Sequence, residues 1–105
     1  MYTADATAAC LTRAGVVIDK GPGLVAGAGT NVGLRGQVGG RPVIVVFFRT
    51  ASEAKDAQGL FDMLDQGAGR GPGLQSRRGN AVMFWKARPP TPSEQATLRD
   101  CLRSR

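Results

Sequence analysis

Histidine is absent from this chain of 105 residues. That removes the commonest general base, the usual activator of a serine or cysteine nucleophile, and the commonest neutral metal ligand. Cysteine is nearly absent too. The two present, Cys10 and Cys101, are not in a Cys-x-x-Cys arrangement, which argues against a thioredoxin-type redox pair. Two thiols without histidine do not complete a zinc site, so no metal is expected. Long apolar runs are missing: the longest, Val43 to Phe48, has the length of a strand, far short of the roughly 18 residues that span a membrane. Met1 to Asp5 has neither a basic stretch nor an apolar core and is not a signal peptide. The expectation is that an exported form has lost its targeting segment, whereas Met1 as the native start would make the chain cytosolic. Acidic residues are also sparse, 8 against 14 lysines and arginines, for a formal charge of +6.

The chain has room for one domain, 1–105, and one core. Residues 4–14 are alanine-rich, with Thr3 or Asp5 as a cap and Gly15 as a stop. Thr7, Cys10, Leu11 and Ala14 share one face of that helix, weakened by the polar Thr7. Val16-Val17-Ile18 reads as a short strand. Residues 20–40 hold eight glycines, which predicts turns and loop, with a strand fragment at Leu24-Val25-Ala26. Leu34 to Val38 alternates and pairs with the 42–48 run across Gly39-Gly40. The continuous apolar run 43–48 reads as a central strand buried on both faces. Thr50-Ala51-Ser52-Glu53 is a capping box, followed by a helical stripe of Ala54, Ala57, Leu60, Phe61 and Leu64 to about Gln66. Residues 67–73 form a loop, 75–78 an extra hairpin arm, and 80–86 a strand ended by Pro89-Pro90. Thr91-Pro92-Ser93-Glu94 is a second capping box; Leu98, Cys101 and Leu102 make the inner face of a last helix.

This order predicts an α+β two-layer sandwich, ferredoxin-like, with three helices on a sheet of three to five strands arranged α-β-(β-hairpin)-β-α-β-α. The 43–86 unit reads either as a right-handed crossover between parallel neighbours or as half of a split βαβ unit.

Cys10 and Cys101 both fall on predicted inner helix faces. A bond between them closes a loop of about 92 residues, for which chain entropy gives about 4.6 kcal/mol. It would imply an oxidising compartment. The other reading is two separate buried thiols acting as small apolar residues. The positive excess lies in residues 67–105, which hold eight basic side chains against Glu94 and Asp100. The field suits anions, although a plain arginine-rich surface explains it as well.

Candidate chemistry is thin. Gly27-Ala28-Gly29-Thr30-Asn31-Val32-Gly33 is close to a dinucleotide fingerprint, but three residues separate its last two glycines and no helix pattern follows, so no cofactor is expected. Glu53 and Glu94 are accounted for as capping residues. Asp56, Asp62 and Asp65 lie on the polar side of the second helix. No catalytic set emerges, and the chain reads as a non-enzyme, with an enzyme whose site is unrecognised as the third reading.

Two resemblances bear on function. The segment Val45 to Ala54 resembles the central strand and following helix of RNA-recognition domains, in which strand aromatics stack bases. It implies a single-stranded nucleic-acid reading that uses Phe47, Trp85, Arg77, Arg78 and Lys86. No Gly-Phe-Gly-Phe-type run precedes the strand, and no aromatic first strand lies ahead of helix 1. More broadly, Cys10-Leu11, the Val43–Phe48 strand with its alanine-rich helix, Gly79-Asn80-Ala81-Val82 and Cys101-Leu102 resemble small bacterial exported domains of unknown function, which often follow a single membrane anchor. That resemblance implies a cysteine-stapled sandwich outside the cytoplasm and no activity. The leading expectation is therefore a non-catalytic extracytoplasmic interaction or accessory module. Its partner is a protein, and it meets a membrane only through an anchor not in this chain.

Overall fold

The computed structural model describes residues 2–24, 32–67, 75–85 and 90–103, without the side chains of residues 20, 22, 24 and 60–67. Three helices and five strands follow one another as α1 (Ala4–Arg13), β1 (Val17–Leu24), β2 (Val32–Val38), β3 (Arg41–Phe47), α2 (Ala51–Gly67), β4 (Gln75–Arg78), β5 (Ala81–Trp85) and α3 (Pro92–Cys101). The strands form one antiparallel sheet in the order β1-β2-β3-β5-β4. The α+β class, the three helices and the extra hairpin arm at 75–78 are as the sequence predicts.

Local chemistry explains the helix ends. Thr3 caps α1 by accepting from the Ala6 amide at 3.3 Å. The box at α3 is complete: Thr91 Oγ1 accepts from the Glu94 amide, and Glu94 Oε1 accepts from the Thr91 amide. The box at α2 is half formed. Thr50 Oγ1 accepts from the Glu53 amide, but the Glu53 carboxylate takes Arg49 Nη2 at 2.9 Å instead.

The hairpin β2–β3 turns on Gly39 and Gly40, both at positive φ (58° and 81°), the backbone that a two-residue type I′ turn demands. Its full register, Val32 opposite Phe47 through Val38 opposite Arg41, keeps Leu34 and Val38 on the same face as Val43, Val45 and Phe47.

Alternation along β3 and β5 gives both sheet faces apolar side chains, and each face has its own core. Val43, Val45, Phe47, Ala81, Met83 and Trp85 pack under α1 and α3, with Leu11, Leu98 and Leu102. Val46 and Val82 point the other way, beside Phe48, and pack with Ala54 of α2. Helices thus cover both faces, and the expected two-layer ferredoxin-like arrangement gives way to three layers. The cause is the 43–48 run: a strand apolar on both faces needs a cover on each. The expectation of parallel neighbours is corrected as well, and the split alternative describes β3–α2–β4, two parallel strands with β5 between them. β5 lies antiparallel to β3, because β4 turns back at the sheet edge before β5 enters beside β3.

The Gly-rich stretch is more regular than its composition predicts. β1 runs on through Gly21-Pro22-Gly23 with register shifts on either side of Lys20. Proline is tolerated because β1 is an edge strand and its missing amide breaks no ladder. The irregular β1 and the four-residue, arginine-bearing β4 both make poor templates for stray pairing. Val25, Ala26 and the 67–73 loop beyond Gly67 lie outside the described residues.

Candidate functional site

The feature that organises this molecule is the junction of its two ends. α1 and α3 lie side by side on the first sheet face. Cys10, in the last turn of α1, is bonded to Cys101, the last residue of α3, with the two Cα atoms 5.3 Å apart and 91 residues between them in sequence. The chain has no free cysteine. Hydrogen bonds extend the tie. The Thr3 amide donates to Arg103 O at 2.7 Å, and the Arg103 amide donates to Thr7 Oγ1 at 3.3 Å. Thr7 is fully buried. Its hydroxyl, a weakness in an apolar stripe, is here the acceptor that anchors the C-terminal segment.

A second tie comes from Asn80, also buried. Its Oδ1 accepts from the Tyr2 amide at 2.9 Å, and its Nδ2 donates to Tyr2 O at 3.0 Å and to Phe48 O at 2.8 Å. The Phe48 amide in turn donates to Asn80 O. One side chain therefore joins the N-terminal segment, the end of β3 and the β4–β5 turn. The Tyr2 ring sits over Gly79, where an added Cβ would lie 3.0 Å from Cε2 in a backbone at φ 58°. Only glycine suits that position.

A third tie is electrostatic. Arg41, nearly buried at the start of β3, donates from Nε to Glu94 Oε2 at 3.0 Å. Glu94 thus divides its oxygens between the Thr91 cap and the Arg41 guanidinium. The Thr91 amide, with Arg41 and the Thr91 hydroxyl adding to it, holds the Glu94 carboxyl below its ordinary pKa against the opposing effect of desolvation.

The residues of the nucleic-acid reading are scattered. Phe47 and Trp85 lie in the core beneath α1 and α3, at 7% and 4% exposure, so neither ring offers a face on which a base can stack. Arg77 and Arg78 are exposed on β4, where they point to opposite faces of the strand, and Arg77 Nη1 is engaged with Gly79 O at 3.1 Å. Lys86 lies outside the described residues. So does most of the Gly27–Gly33 motif, whose last two residues form the start of β2.

A shallow cleft of about 440 Å³ opens beside the start of α1, lined by Thr3, Ala4, Asp5, Gly23, Val32 and Phe47. Its floor is apolar, its one carboxylate is Asp5, and the Thr3 hydroxyl is already committed to the helix cap. It brings no nucleophile to a base. Among the described residues no group of three or more histidine, cysteine, aspartate or glutamate side chains could hold a metal ion.

Sequence reasoning identified the cysteines and missed Thr7, Asn80, Tyr2 and Arg41. Gly79-Asn80 between two strands signals a turn, and Asn80 could have been found there as a side chain suited to bonding backbone groups. Nothing local marks Arg41, since its partner lies 53 residues away. No protein-family model, no curated protein and no solved structure matches this chain.

Proposed function

We infer that this chain is a non-catalytic interaction or accessory module of an oxidising, extracytoplasmic compartment. The Cys10–Cys101 bond carries the reading. Bonds of this kind persist where thiols are not kept reduced, and small domains there use them to offset a modest core. The tie also suits a chain with 15 glycines, because it removes conformations from an unusually free unfolded state.

Three of the carboxylates are engaged in structural contacts, which suits a binding role. Glu94 serves Arg41 and the α3 cap, Glu53 serves Arg49, and Asp19 accepts from Gln37. Among the described residues no helix is long and apolar enough to cross a membrane. The resemblance to small exported domains supports this reading only as a resemblance.

The test is thiol trapping in the cells that make the protein. Cells are quenched with an alkylating reagent at harvest, and the protein is recovered separately from envelope and cytosolic fractions. Its mass should show no added alkyl groups and should be found in the envelope or secreted fraction. Two alkylated thiols in protein from the cytosol would overturn the reading.

A further inference from the structure

We draw no further inference here: the strongest candidate, the part of the second sheet face formed by β1, β2 and the start of β3 around the exposed Val17, carries no proposal because nothing in the structure shows what covers it.

Discussion

The two faces of the sheet are held by different means. The first is covered by α1 and α3, which enclose most of the buried apolar side chains and are tied by the disulfide, by the Thr3–Arg103–Thr7 bonds and by the Arg41–Glu94 pair. The second has, among the described residues, one helix, α2, and a core of Val46, Phe48, Ala54 and Val82, and the disulfide does not reach it. The lesson is that covalent and polar ties have gathered on the helices that come from the chain ends. α2 is continuous with β3 and is placed by its connection. α1 and α3 pack together from segments 91 residues apart in sequence, and the ties offset the entropy of holding so distant a pair side by side.

Breaking the disulfide should show this asymmetry most strongly. The Cys10→Ser/Cys101→Ser variant is expected to lose about 2–5 kcal/mol, which for a chain of this size lowers the melting temperature by at least about 10 °C. Amide exchange should rise chiefly in 4–13 and 92–101 and least in β3. Equal loss over 51–59 would show that the two faces are one cooperative unit. Next in size is the core. Leu98→Ala, under the tied helix, should cost about 3 kcal/mol in denaturant unfolding, whereas Ala54→Gly in α2 should cost about 1 kcal/mol. Asn80→Ala leaves the Tyr2 amide and two carbonyls unsatisfied and should cost about 2 kcal/mol by the same measurement. A value near zero would mean that water replaces the side chain.

The smallest effect is set by pH. The folded-state pKa of Glu94 is lowered by the Thr91 amide and Arg41. Its contribution is thus complete above the unfolded carboxyl pKa of about 4.3. It is lost as pH falls through the lower folded value, once the folded carboxylate itself takes up a proton. Glu94→Gln should accordingly flatten the acid limb of the stability–pH curve below about pH 4.3 and reduce stability at neutral pH. An unchanged acid limb would remove Glu94 from the tie.

Local signals were legible where the residues that decide lie close together. Thr91-Pro92-Ser93-Glu94 specifies its own cap, Gly39-Gly40 its own turn, and the 43–48 run a buried strand. That run also implied covers on both faces, a consequence that the two-layer expectation overlooked. Phe47 and Trp85 show the opposite case. An aromatic on an apolar strand reads equally as a stacking platform or as core, and only the position of α1 and α3 decides between them. Thr7 read as a flaw because its donor, Arg103, is 96 residues distant. Asn80 and Arg41 likewise act through partners 78 and 53 residues away.

By itself, the order of residues determined the helix caps, the hairpin turn, the central strand and the lack of histidine-based chemistry, because each depends on neighbours within a few positions or on composition alone. Which face each aromatic occupies, that β5 returns antiparallel beside β3, and that two sulfurs 91 residues apart come within bonding reach were settled only when the chain closed on itself. Those outcomes depend on pairing between distant segments, where many arrangements satisfy the same local preferences and burial of the whole core selects among them.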